Sequence, residues 1–215
     1  MSDFVCKLSG VLPDTVVFGG MLRELSLGKA KEFHSDLDLV TRHSRTQIED
    51  FLGDLDWVQN KFGGYRVFAQ GWMYDVWSLE DTWAARAGYI RCANFDDLLE
   101  TTFFDIDSAA FHVSDRRLIV SRRHLQAVES KVLGINLVEN PSPPAMARRA
   151  IKMAMENEFS LSRELATYVL EHYAPDQPDS LESAYAASLK RILSSTRCRV
   201  VRPIVQPDFF PFPQK

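Results

Sequence analysis

The chain has 215 residues, an apolar fraction of 46%, a charged fraction of 25% and a net charge of −4, the profile of a folded soluble protein rather than a disordered or fibrous one. No apolar run reaches the length that spans a bilayer, and the N-terminus MSDFVCKLSG lacks the basic-then-apolar order of a secretory signal. Cys6, Cys92 and Cys198 have no metal-like spacing and suit reduced thiols, so a cytoplasmic location without a membrane partner is expected.

Val16-Val17-Phe18 is an apolar run ending at Gly19-Gly20, which predicts a buried strand and a tight turn. MLREL follows with helical spacing. Asp36 and Asp38 alternate with Leu37 and Leu39, the pattern of a half-buried strand. In SRTQIEDFLGDL, Ile48, Phe51, Leu52 and Leu55 share a helical face and Ser44 caps it. YRVFAQ and MYDVWSL, separated by Gly71-Trp72, predict a hairpin. LEDTWAARAG reads as a short helix or loop, and FDDLLETT as a helix. DIDSAAFHV and RRLIVS predict a strand pair around Ser114-Asp115, and SRRHLQAVESKVLGIN a helix ending near Gly134. NPSPP at 140–144 is the clearest boundary. Helical patterns follow at 144–157, 161–173 and 180–195, and the end, RPIVQPDFFPFPQK, is expected to run extended. The division expected is a head at 1–139, a helical neck-like region at 140–196 and a proline-rich tail at 197–215.

Charge is uneven along the chain. Residues 1–115 carry 10 Lys and Arg against 19 Asp and Glu, and residues 116–215 carry 15 against 10. An acidic half beside a basic half suits a cation site next to a surface that meets phosphates, although ordinary surface variation is the simpler account of charge alone.

Alternate strand residues point the same way roughly 6 to 7 Å apart, so Asp36 and Asp38 project from one face. Two such carboxylates can jointly hold a pair of divalent cations, and oxygen-only ligands select Mg²⁺, or Mn²⁺ in its place, over zinc. Asp75, mid-strand between apolar residues, is the candidate third carboxylate, since Asp disfavours a plain strand. Gly19 and Gly20 allow backbone N–H groups to approach a phosphate, and Arg23 would add a charge-assisted contact. Each motif alone is weak: Asp-x-Asp often lies on a solvated strand face, and Gly-Gly is usually a turn. Their order raises the signal: strand, Gly-Gly, helix with Arg, Asp-x-Asp strand, then a further strand with Asp.

That order resembles the nucleotidyltransferase superfamily with the DNA polymerase β-like fold, nearest to the head domain of class II tRNA nucleotidyltransferases and bacterial poly(A) polymerases. Their Gly-Gly, two residues, Arg and an acid, then Asp-x-Asp-Leu, correspond to Gly19-Gly20-Met21-Leu22-Arg23-Glu24 and Ser35-Asp36-Leu37-Asp38-Leu39-Val40. Tyr74-Asp75-Val76 fits the next acid-bearing strand. The likeness covers roughly residues 14–170 and implies an α+β fold, a mixed sheet backed by helices and followed by a small helical neck-like region. It further implies two Mg²⁺ ions held by catalytic Asp36, Asp38 and Asp75. An NTP donor, ATP among the candidates, would be bound by Gly19, Gly20, Arg23, Ser35, Asp107, Arg148 and Arg149. The expected function is transfer of an NMP to a hydroxyl acceptor, RNA among the candidates, with release of pyrophosphate.

The family's Arg-Asp-Phe-Thr-Ile-Asn motif stands here as Thr102-Phe103-Phe104-Asp105-Ile106-Asp107, with a carboxylate in place of the amide. The neck template acids are absent from Pro-Ser-Pro-Pro-Ala-Met-Ala-Arg, so CCA addition itself is not expected. Two alternatives stand beside transfer: a catalytically silent relative that binds nucleotide, RNA or protein, and a small-molecule nucleotidyltransferase. Trp57, Trp72, Trp77 and Trp83 fit core packing better than base stacking, and Arg116-Arg117 with Arg122-Arg123 fit a basic strip and a solvated helix start equally.

Overall fold

The computed structural model describes residues 2–174, 180–195 and 200–201. They form two compact units, one of residues up to 129 with 136–139, the other of 130–135 with those described from 140 onward.

The first unit opens with helix α1 (Ser2–Val11), strand β1 (Thr15–Phe18), helix α2 (Gly20–Ser26), strand β2 (Leu37–Thr41) and helix α3 (Arg45–Leu52). Strands β3 (Trp57–Gln59), β4 (Tyr65–Ala69) and β5 (Trp72–Ser78) follow, then helices α4 (Trp83–Arg86) and α5 (Phe95–Leu99). Strands β6 (Ala109–His112) and β7 (Arg117–Val120) precede helix α6 (Arg122–Ser130). The seven strands make one sheet in the order β3-β4-β5-β2-β1-β6-β7. Only β2 and β5 pair in parallel; their neighbours are antiparallel. This is a mixed α+β architecture with a mostly antiparallel sheet backed by helices.

Local chemistry sets several boundaries. Ser44 and Gln47 form a reciprocal capping box at α3, and Asn94 with Asp97 forms another at α5. Between β4 and β5 the turn residues Gln70 and Gly71 have φ of 53° and 77°, the left-handed pair that suits a two-residue hairpin. Alternation then sorts the side chains. Leu37, Leu39, Val67, Tyr74 and Val76 bury against Phe4, Leu8 and Leu12 from the α1 region and against Ile48 and Leu52 of α3. Full burial of such an aliphatic side chain contributes about 1.5–3 kcal/mol. Val16 and Val40 face the other way and pack with Phe95, Leu98 and Leu99 of α5. Asp38, two residues before Val40, therefore stands on the α5 side of the sheet.

The second unit holds strand β8 (Val132–Leu133), helix α7 (Pro143–Asn157), strand β9 (Ser160–Ser162), helices α8 (Arg163–His172) and α9 (Leu181–Ser194), and strand β10 (Val200–Val201). Its small sheet runs β10-β9-β8.

Several elements depart from the expectations. The N-terminus, notable in sequence only for lacking a signal, forms α1. The three-residue strand β3 is too short to show a period. Asp105–Asp107 form a 3-10 turn rather than part of a strand. The helix expected to reach Gly134 stops at Ser130, because Lys131 adopts φ 53° and β8 pairs in parallel with β9. That same pairing delays α8 to Arg163, where Ser162 accepts a hydrogen bond from the Leu165 amide as its cap. Apart from Val200–Val201, the tail expected at 197–215 lies outside the described residues. Among the described residues, no helix is long and apolar enough to cross a membrane.

Candidate functional site

Gly19 ends β1 with φ +75°, and a Cβ there would lie 3.1 Å from an Asp38 carboxylate oxygen. Conformation and space both call for glycine, and the close approach places the Asp38 carboxylate against this corner. A Cβ at Gly20 would meet the Arg23 guanidinium at 3.4 Å, so Arg23 folds back from α2 to the same corner.

Asp38 and Asp75 are register partners across the parallel strands β2 and β5. Asp36 lies one residue before β2. Its carboxylate accepts from the Ser35 hydroxyl at 2.5 Å and from Arg66 Nη2 at 2.9 Å. Burial pushes the Asp36 carboxyl up, but hydrogen bonds from Ser35 and the backbone, the Arg66 charge and a hydrogen bond involving Asp75 together hold it below the ordinary carboxylate value.

Arg66 is the residue that motif reasoning passes over. It sits on β4 opposite Asp75 in the antiparallel register. Its Nε donates to Asp75 Oδ1 at 2.9 Å, and Nη2 donates to Asp75 Oδ2 at 2.6 Å while also reaching Asp36. One guanidinium thus bridges two of the three carboxylates. Hydrogen bonding by Asp75, that carboxylate's charge and the more distant charges of Asp36 and Asp38 raise the Arg66 pKa against the opposing effect of burial. The turn expected at Gly71-Trp72 would set Phe68 opposite Asp75; the observed turn at Gln70-Gly71 sets Arg66 there instead.

The donor set of Asp36, Asp38 and Asp75 is all carboxylate oxygen, the chemistry that fits a hard divalent cation, and Arg66 already acts as a cation between two of them. As these side chains stand, no group of three or more His, Cys, Asp or Glu among the described residues is arranged to hold a metal ion.

The other side of the corner is also ion-paired. Arg23 Nη1 donates to Asp107 Oδ1 at 2.5 Å, and Nε donates to Glu24 at 3.0 Å. Arg23 and Asp107 side chains are only 13% and 9% exposed. Burial lowers the Arg23 pKa, but Asp107, by charge and hydrogen bond, and then Glu24 outweigh it and leave it raised. Arg23, expected to face an incoming triphosphate, is thus engaged by the carboxylate that replaces the family's amide.

His124 ties both partners of that pair in place. Its Nδ1–H donates to the Ile106 carbonyl at 2.7 Å, in the turn that carries Asp107. Its Nε2 lies 3.0 Å from the hydroxyl of Ser26, on the helix that carries Arg23, and that hydroxyl donates to the Leu22 carbonyl. Burial holds the His124 pKa below its ordinary value, although the Ile106 hydrogen bond and the Asp107 charge oppose it. A depressed histidine refuses a proton that the unfolded chain accepts, so stability is expected to fall as pH drops below about 6.5. Urea unfolding midpoints at about pH 7.5 and 5.5 measure this, and an equal drop in His124→Gln would exclude His124 as the cause.

His34 is exposed. Arg148 and Arg149 lie on α7, in the second unit. Arg116, Arg117, Arg122 and Arg123 are all exposed around edge strand β7 and the start of α6. Trp57, Trp72 and Trp77 pack against the two core clusters, and Trp83 lines a shallow hollow with Lys61, Phe62, Arg86 and Ala87.

No protein-family model matches the sequence, and no curated protein is significantly similar to it. Solved structures do match in fold. A tRNA-processing enzyme bound to CTP superposes with a TM-score of 0.58 at 18% identity, over 80% of this chain and 46% of that one. The Thermotoga maritima CCA-adding enzyme complexed with tRNA gives 0.58 at 18% identity, over 79% and 41%. A tRNA nucleotidyltransferase with a primer tRNA and an ATP analogue gives 0.56 at 19%, over 80% and 49%. The chain spans less than half the length of these structures and shares the nucleotidyltransferase head fold with them.

Proposed function

We propose that this nucleotidyltransferase-fold chain transfers an NMP from an NTP to a hydroxyl acceptor, RNA first among the candidates, releasing pyrophosphate. The observation that carries the proposal is the in-register pairing of Asp38 with Asp75, beside Asp36 and against the glycine corner. The neighbours in fold carry CTP, an ATP analogue and tRNA, which supports a nucleotide donor and an RNA acceptor here.

Asp36, Asp38 and Asp75 would hold Mg²⁺ or Mn²⁺, which when bound supplies Lewis-acid stabilisation of charge on a transferring phosphoryl group. Asp75, buried in mid-strand, would accept the proton of the acceptor hydroxyl. Gly19 and Gly20 would let the triphosphate approach the backbone, with Arg23 as its charged contact once released from Asp107, and Ser35 would orient Asp36. Arg148 and Arg149 are proposed as further phosphate or base contacts. Incubation with each labelled NTP, Mg²⁺ and total cellular RNA, protein and metabolites tests the proposal: label is expected in the RNA fraction. Label in none, with no pyrophosphate released, would sink it.

A second proposal, a catalytically silent nucleotide or RNA binder, has one observation in its favour. The two arginines at the site, Arg23 and Arg66, are both ion-paired to carboxylates. Nucleotide-dependent stabilisation without turnover, unchanged when Asp36 and Asp38 are both replaced by Ala, distinguishes it.

A further inference from the structure

Asp75 has a side chain only 7% exposed, and the Arg66 guanidinium takes up both of its oxygens. The same nitrogen that reaches Asp75 Oδ2 also holds Asp36 Oδ2. Arg66 approaches from β4, and its own side chain is 44% exposed, so it is in contact with solvent while Asp75 is not. An arginine cannot be deprotonated to vacate the site. A divalent cation binding to these carboxylates would meet the guanidinium charge at the same oxygens, so the two cations repel and crowd each other there.

We infer that Arg66 is a resident counter-cation that competes with a divalent metal for Asp36 and Asp75, so that metal enters only as Arg66 leaves. The inference rests on the proposed role of Asp36, Asp38 and Asp75 as a metal site. Its chemistry is exchange: a planar monovalent fork on two carboxylates gives way to a hard ion of twice the charge. Apparent metal affinity is then reduced by the fraction of molecules in which Arg66 holds the carboxylates. The arrangement keeps Asp75 paired when no metal is present, because a buried carboxylate without a partner is costly. It also couples metal occupancy to the position of the β4 side chain.

Mn²⁺ binding to the whole chain, measured by calorimetric titration without nucleotide, tests this. Arg66→Gln is expected to bind Mn²⁺ about tenfold more tightly than the wild type, the scale of one bidentate charged pair given up. Arg45→Gln, which removes an arginine paired with Asp81 instead, is expected to change the affinity less than about twofold, separating competition from a general loss of positive charge. Arg66→Gln is also expected to melt lower than the wild type without metal and to gain more from added Mn²⁺. Should it not fold without metal, Arg66→Lys keeps a charge beside Asp75 but lacks the fork, and an affinity gain in the same direction is expected. Unchanged or weaker Mn²⁺ binding in the folded Arg66 variant, or an equal gain in Arg45→Gln, overturns the inference. Because the readout is metal affinity, tighter binding without any turnover would sink nucleotidyl transfer and leave the inference standing. Turnover with unchanged affinity would do the reverse.

Discussion

Asp38→Asn is expected to lower nucleotidyl transfer at least about a hundred- to a thousandfold while leaving the melting temperature unchanged or slightly raised. The two effects separate because of where Asp38 sits. It is only half-buried, its carboxylate rests against the Gly19 corner, and Asn has the same outline. Loss of its charge removes repulsion from Asp75, its register partner, and from Asp36, two residues before it, which offsets the lost attraction to Arg66. The same loss removes an anionic ligand from the proposed metal set. Pyrophosphate release with the preferred NTP and a melting curve measure the two sides. Full turnover in Asp38→Asn would remove the carboxylates from the mechanism, and a collapse in stability would make Asp38 a structural residue.

Asp107→Ala is expected to destabilise the chain by about 3 kcal/mol. Arg23 and Asp107 are both largely buried, so truncating the acid leaves a buried guanidinium that loses its ion pair with Asp107 but keeps the one with Glu24. That second partner places the cost at the low end for a broken buried pair. Asp107→Asn keeps an acceptor oxygen in place of the carboxylate, so its cost is expected to be about 1 kcal/mol. It also restores the amide of the resembled family and leaves Arg23 with surplus charge beside the glycine corner. NTP binding is expected to tighten about tenfold. Urea unfolding of the two variants and calorimetric NTP titration check these outcomes. Equal destabilisation by Ala and Asn would show that charge is not what Asp107 contributes. Unaltered NTP affinity in a folded Asp107→Asn chain would mean that Arg23 does not meet the triphosphate.

Much of the first unit was legible because its signals are local. Val16-Val17-Phe18 before Gly19-Gly20, the Asp-Leu alternation at 36–39 and the Ser44 cap each act within a few residues, and each became the expected strand, turn or helix. The β4–β5 hairpin belongs with them, but its turn falls at Gln70-Gly71 rather than the expected Gly71-Trp72, a shift that moves the residue opposite Asp75 from Phe68 to Arg66. A two-residue turn determines which residues face each other, so an error of one position in the turn hides the Arg66–Asp75 contact. The short strands β3, β8 and β10 were not legible, since two or three residues cannot display a period and are stabilised only by their partners.

The order of glycines, arginine and acids along the chain already told of carboxylates on one strand face and of the kinship in fold. What the linear order could not supply was the destination of each charge. Asp38 meets Asp75 because two parallel strands lie side by side after a long crossover, and Arg23 meets Asp107 across 84 positions of chain. Contacts of that separation come from packing helices onto a twisted sheet, which no local pattern encodes. Only the folded chain therefore reveals that both arginines at the site are already matched by acids.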